Sequence, residues 1–218
     1  MNIANQNFFS TVELLETLML DGKSSLEPSS SGILISNNLL LTAAHCVGYF
    51  SHAKFPHTSF EEIIEIEEVL TFCKEEDEHF DIAIVKLSKK VPDTIKPVCI
   101  LDEGYKIESK TELVVAGFGV SGDIDGKSTL RLINLPFEKY DKNWLIADQR
   151  NDQKTSIGDS GGPAYLKIKN KIFLAGVTTG TDQKFEFAAF MNLSLFKEWI
   201  IKSAIELNAT LPTFENPN

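Results

Sequence analysis

Positive charge is in short supply in this chain. Its 218 residues carry 21 Lys and Arg against 31 Asp and Glu, a formal net charge of −10. Binding a phosphate backbone needs a basic surface, so no nucleic-acid partner is expected. Long apolar runs are missing as well: no stretch reaches the roughly 20 residues that cross a bilayer, and no membrane partner is expected. Met1 to Leu20 contain no Lys or Arg, and Glu13 and Glu16 interrupt their apolar residues. The segment does not read as a signal peptide or an anchor. The expectation is a chain that stays in the cytoplasm or leaves by a route without a signal peptide, or one that is secreted if the sequence begins after a removed leader.

Cysteine is scarce too. Cys46, Cys73 and Cys99 are odd in number and not closely spaced, which excludes a disulfide framework. A reducing compartment is the simpler inference, with a single bridge left open. Neither Cys-x-x-Cys nor His-Glu-x-x-His occurs, so a zinc site has no support. The acidic residues Glu61, Glu62, Glu65, Glu67 and Glu68, then Glu75, Glu76, Asp77 and Glu78, read as a solvated face and an acidic loop. The alternating ligands, Gly and closing Glu of a calcium-binding EF-hand are absent. No metal and no cofactor are expected.

What the chain does have is short apolar runs broken by turn residues. Hydrophobic residues make up 43% of it, 15 of them Phe, enough for a sizeable core. Gly32–Ile35 and Leu39–Thr42 flank Asn37-Asn38 as strand, turn and strand. Ile63–Val69, Asp81–Leu87, Leu113–Ala116, Leu130–Leu135, Ala164–Ile168, Ile172–Val177 and Phe185–Phe190 continue the pattern, which points to an all-β sandwich or barrel. Leu193, Phe196, Ile200 and Ala204, with Trp199 beside them, have helical period, and Ser194 is placed to cap that helix. Leu211–Asn218, with two Pro, reads as a frayed tail. The polar stretch Asp102–Thr111 reads as the connection between two halves.

The sharpest chemical feature is Gly158-Asp159-Ser160-Gly161-Gly162-Pro163. A Ser flanked by Gly can sit on a tight turn with backbone N–H groups exposed around it, which suits a nucleophile beside an oxyanion hole. Its hydroxyl needs a base, and that base needs an orienting carboxylate. Gly158 to Gly162 also fits the Gly-x-Ser-x-Gly elbow of α/β-hydrolases, but there the acid and the His follow the Ser. Here the histidines are His45, His52, His57 and His79, and none follows Ser160. The order His, Asp, Ser remains.

Leu41-Thr42-Ala43-Ala44-His45-Cys46 closely resembles the segment around the catalytic His of the trypsin/chymotrypsin family of serine proteases. Asp81-Ile82-Ala83-Ile84-Val85-Lys86-Leu87 resembles the segment around its catalytic Asp, and Gly158–Pro163 matches its nucleophile segment without a change. Ser31–Ile35, Ala116-Gly117-Phe118-Gly119, Gly176-Val177-Thr178-Thr179-Gly180 and Phe196–Ile200 extend the likeness over most of the chain. The resemblance implies an all-β fold of two six-stranded antiparallel β-barrels with a C-terminal α-helix. The first barrel would occupy about residues 1–105, and the second barrel with the helix about 106–218. It implies a monomeric serine endopeptidase acting on polypeptides through His45, Asp81 and Ser160. Gly158 and Ser160 would donate backbone N–H groups to the oxyanion, and Thr178 would hydrogen-bond Asp81. A protease-like binding protein of little activity, or an esterase on the same fold, are the alternatives.

The same resemblance places Lys154, Thr155, Thr178, Thr179, Gly180 and Ala188 around the substrate pocket. Lys154 stands six residues before the nucleophile, where trypsin-like members keep an Asp that selects Arg or Lys, so such substrates are expected to be poor. A shift of the loop would bring Asn151 or Asp152 there instead, and the alternative for Lys154 is a side chain turned out to solvent. The family's Asp before the nucleophile pairs with an α-amino group freed by cleavage before an Ile. That makes Asp159 a carboxylate in need of a cation, from the amine of Ile3 or from a Lys side chain. The chain departs from the family at Ser30 and Ser156, which stand where Cys is usual. The segment from His45 to Asp81 is also shorter than usual, and Ile-Val-Gly-Gly is missing near the N-terminus.

Overall fold

The computed structural model describes residues 8–72, 80–119, 129–150, 152–182, 184 and 186–217. Strands β1 (Thr11–Leu20), β2 (Lys23–Ser36), β3 (Leu39–Thr42), β4 (His52–Lys54), β5 (Ile64–Thr71) and β6 (Ala83–Leu87) form a closed barrel in the order β1-β2-β3-β6-β5-β4. After β7 (Cys99–Leu101) come β8 (Glu112–Gly117), β9 (Arg131–Asp141), β10 (Trp144–Asp148), β11 (Pro163–Ile168), β12 (Lys171–Thr181) and β13 (Phe187–Asn192). These run β11-β8-β9-β10-β13-β12 and close through β11–β12. The architecture is two closed six-stranded antiparallel barrels, as the sequence led us to expect.

Three details differ from the sequence reading. β7 falls in the half assigned to the first barrel, yet it pairs in parallel with β12 of the second. The tail is not frayed at Phe214–Glu215, which forms β14 and adds in parallel to β7. The helix α1 spans Lys197–Glu206 and is preceded by a 3₁₀ turn at Leu193–Leu195. Asn192, not Ser194, caps that turn, its Oδ1 accepting from Ser194 N at 3.3 Å and from Ser194 Oγ at 2.9 Å.

Strands buried on both faces explain the near-continuous apolar runs. In β3, Leu40 points into the first barrel while Leu39 and Leu41 point toward the other half. Val85 and Leu87 of β6 face inward and Ile84 outward. The outward residues join Tyr165, Leu174, Val177, Met191 and the helix residues Ile200 and Ala204 in one inter-barrel core. Polar links cross the same seam: Tyr165, fully buried, exchanges hydrogen bonds with Ser10 Oγ at 2.7 Å and Thr11 Oγ1 at 3.0 Å. By contrast, Glu65, Glu67 and Glu68 of β5 are exposed, the solvated face the sequence suggested, while Glu75–Glu78 lie outside the described residues.

Phe196 leads the chain into α1 and is 2% exposed, with Phe72, Phe80 and Trp199 set edge-on around it. Phe196→Ala should therefore lower unfolding free energy by about 3–5 kcal/mol, as expected for an aromatic ring deleted from a packed core. Urea denaturation followed by Trp fluorescence measures it. A loss below about 1 kcal/mol would show that the helix seat is not the tight contact described.

Candidate active site

His45 sits in a single 3₁₀ turn, Ala44–Cys46, just past the end of β3, and Asp81 lies just before β6. β3 and β6 are antiparallel neighbours with Thr42 opposite Ala83, so pairing register alone brings the two residues to the same end of the sheet. Asp81 Oδ1 accepts from the His45 backbone N–H at 2.9 Å, and Oδ2 accepts from His45 Nδ1 at 2.7 Å. That second bond fixes the tautomer, leaving Nε2 as the outward nitrogen. Asp81's hydrogen bond, with a smaller contribution from Cys46, raises the imidazole above its ordinary range, and partial burial opposes it.

Ser160 comes from the other barrel. It lines a cleft of about 460 Å³ together with His45, Cys46, Tyr49, Ile157 and Gly158. Asp81 accepts two hydrogen bonds from His45, and among the described residues none joins the His45 ring to Ser160 Oγ. Such contacts are often loose before substrate arrives. The loop carrying Ser160 is clamped by Ser31 of the first barrel and Thr178 of the second. Ser31 N–H of the first barrel donates to Ser160 O at 2.9 Å. Ser31 Oγ donates to Gly158 O at 2.8 Å and accepts from Phe118 N at 3.0 Å. Gly161 N donates to Thr178 O at 2.8 Å, and Thr178 N to Gly162 O at 2.8 Å. The N–H groups of Gly158 and Ser160 donate to no acceptor among the described residues.

Two glycines here are dictated by geometry. Gly158 has φ +94°, a left-handed conformation that side chains rarely tolerate. Gly161 has φ +79°, and a Cβ on it would lie 2.0 Å from Thr42 Oγ1 and 2.3 Å from Ser31 O. The Ser160 loop thus rests directly on the backbone of the first barrel.

Asp159 is 3% exposed, and its partners are all close. Oδ1 accepts from Gly119 N at 2.9 Å. Oδ2 accepts from Arg131 Nη2 at 2.7 Å, Ser156 N at 2.8 Å and Ser156 Oγ at 3.1 Å. A second bond from Arg131 Nη2 reaches Ser156 Oγ at 2.7 Å. The cation expected from Ile3 or a Lys is therefore supplied by Arg131. Ile3 itself lies outside the described residues.

The expected pocket residues are not all where the resemblance put them. Thr179, Gly180 and Ala188 line a second cleft, about 420 Å³, with Asp81, Trp144 and Ile146. Lys154 is exposed, so no buried ammonium stands at a pocket base; a lone charge gains more from water than from an apolar site. Asp152 is exposed and Asn151 lies outside the described residues. Thr155 is buried, and both its N–H and its Oγ1 donate to Gln149 Oε1 at 3.1 Å. Thr178 does not hydrogen-bond Asp81. Its Oγ1 is buried without a partner among the described residues, and the bonds that Asp81 accepts both come from His45. Cys46 and Cys99 are free thiols, and Cys73 lies outside the described residues. Ser30 lines the same cleft as Cys46, its hydroxyl likewise without a partner among the described residues.

Sequence reasoning missed Arg131, Ser31 and Gln149. Arg131 had a signal: it lies in phase with Ile133 and Leu135 on β9, and a charge on an inward face implies a buried counter-charge. Ser31 and Gln149 had none, since a strand Ser and a Gln in a polar run look like any others. The family model described as Trypsin matches residues 17–200, spanning His45, Asp81, Ser160 and all the loop contacts above. With two closed barrels, a match of that length places the chain in the trypsin family, the trypsin/chymotrypsin-like serine proteases.

Proposed function

We propose that the chain is a serine endopeptidase that cleaves polypeptides through a covalent acyl-enzyme, with Ser160 as nucleophile, His45 as general base and Asp81 as its orienting carboxylate. The observation that carries this reading is the 2.7 Å bond from His45 Nδ1 to Asp81 Oδ2, made by a ring that shares its cleft with Ser160. His45 Nε2 takes the Ser160 Oγ proton as Oγ attacks the peptide carbonyl, and later gives it to the leaving amine. Asp81 stabilises the imidazolium that exists between the two steps. The carbonyl oxygen, charged in the tetrahedral intermediate, is received by the N–H groups of Gly158 and Ser160.

Support for an active enzyme over a binding protein comes from the absence of any substitution at these positions. An esterase would share the machinery, so peptide and ester substrates are compared side by side. Ser160→Ala and His45→Ala should each lower peptide hydrolysis by on the order of 10^4-fold or more. Both should remain folded, since neither side chain is part of a core. Peptide cleavage by Ser160→Ala at the parent rate would refute the mechanism; ester cleavage without peptide cleavage would move the reading to the esterase.

The base works only when neutral, and Asp81 raises the pKa of His45. Raising it keeps the ring protonated to higher pH, so the acid limb of kcat/KM should lie above the ordinary imidazole value of about 6.5. Asp81→Asn removes the cause and should move the limb to lower pH, together with a plateau lowered by about 10^4. A parent limb at or below about 6.5 would contradict the assignment of Asp81 as the partner that charges the ring.

A further inference from the structure

The Asp159 carboxylate accepts Gly119 N–H, Ser156 N–H, Ser156 Oγ–H and Arg131 Nη2–H. Oδ2 takes three of these donors, the Arg131 cation among them, and Oδ1 takes one, so the charge is already paired and both oxygens are hydrogen-bonded. The surroundings leave little room besides. A Cβ on Gly117 would lie 2.4 Å from Asp159 Oδ1, and a Cβ on Gly119 would lie 2.6 Å from it and 2.3 Å from Ser156 Oγ. Arg131 projects from β9, a strand fixed by pairing with β8 and β10, and not from a chain end. Ser156, where the family usually has Cys, is the residue that both accepts from Arg131 and donates to Asp159.

We propose that Arg131 is a built-in positioning residue that holds the Gly158–Ser160 loop in its oxyanion-binding arrangement, so that catalysis requires no free α-amino group and no N-terminal cleavage. The inference rests on the protease reading above. The physical reason is that Asp159 separates the two oxyanion donors in sequence. Anchoring its carboxylate fixes the peptide units on either side, including the left-handed Gly158. In an activation that depends on cleavage, the anchoring cation arrives with the new terminus. Here it is part of a strand and in place once the second barrel closes.

The experiment compares three forms of the full chain: one carrying an uncleaved N-terminal extension, one acetylated at its N-terminus, and one engineered to begin at Ile3. Mass spectrometry verifies each terminus, and peptide hydrolysis and fluorophosphonate labelling of Ser160 are read. All three should have the same kcat within about twofold. Arg131→Ala should lower kcat by about 100-fold, the scale of losing one oxyanion donor, with KM changing much less. Arg131→Lys should recover part of the loss, because the positive charge returns without the guanidinium geometry. Blocked forms that are inert while the Ile3 form is active would overturn the inference and leave the protease reading standing. A folded Arg131→Ala as active as the parent would overturn it too. Should Arg131→Ala fail to fold, the comparison of termini and the Lys variant still decide. If all three forms are folded and inert, the protease reading fails, and this inference with it.

Discussion

A buried carboxylate has to be neutralised where it sits, and in this protein that requirement falls on Asp159, 3% exposed and next to Ser160 in the chain. The charge draws in a guanidinium from β9, an N–H from the end of β8 and a hydroxyl and N–H from its own loop. Breaking such a pair by removing one partner costs about 3–5 kcal/mol, which sets the loop in place firmly. The glycines at 117 and 119 follow from the same constraint, since no side chain fits between β8 and the carboxylate. So does Ser156: a Cys there could not relay as strong a hydrogen bond between Arg131 and Asp159.

The other half of the site depends on register. Thr42 opposite Ala83 aligns His45 with Asp81, and the Ser31 contacts align that pair with the Ser160 loop of the second barrel. Each barrel supplies its own internal cohesion, while the apolar seam around Ile33, Leu41, Ile84, Tyr165 and Met191 fixes one barrel against the other. Residues of β3 and β6 serve both layers at once, because successive side chains point to opposite faces. Shifting either strand by one residue would exchange its two apolar sets and carry His45 or Asp81 out of line.

The apolar runs of β3, β6, β8, β11 and β12 were legible because strands buried on both sides are written in Val, Ile, Leu and Ala. β1 was not, because Glu13 and Glu16 break its pattern. Yet Glu13 is buried, with Lys54 Nζ 4.0 Å away, an ion pair between strands far apart in sequence. β7, β10 and β14 are short, and their edges are defined by partners. The His45, Asp81 and Ser160 segments could be read because each is a short, contiguous run of residues that resembles the family's. The cation for Asp159 could not be placed by local reading: Arg131 lies 28 residues away in a strand, so only the closed barrel brings the two together. For Lys154 the sequence left two directions open, a pocket base or solvent, since a count along a loop gives a position and not the direction in which a long side chain turns; it turns to solvent.

A double-mutant cycle tests the central proposal that the Arg131–Asp159 pair, and not either residue alone, sets the Ser160 loop. The rate of fluorophosphonate labelling of Ser160 is measured for the parent, Arg131→Gln, Asp159→Asn and the double variant. If the pair acts as a unit, the double variant is no slower than the slower single one, and the coupling is about 1–3 kcal/mol. Effects that add to within about 0.5 kcal/mol would mean that the two residues act independently and that the loop is held by something else.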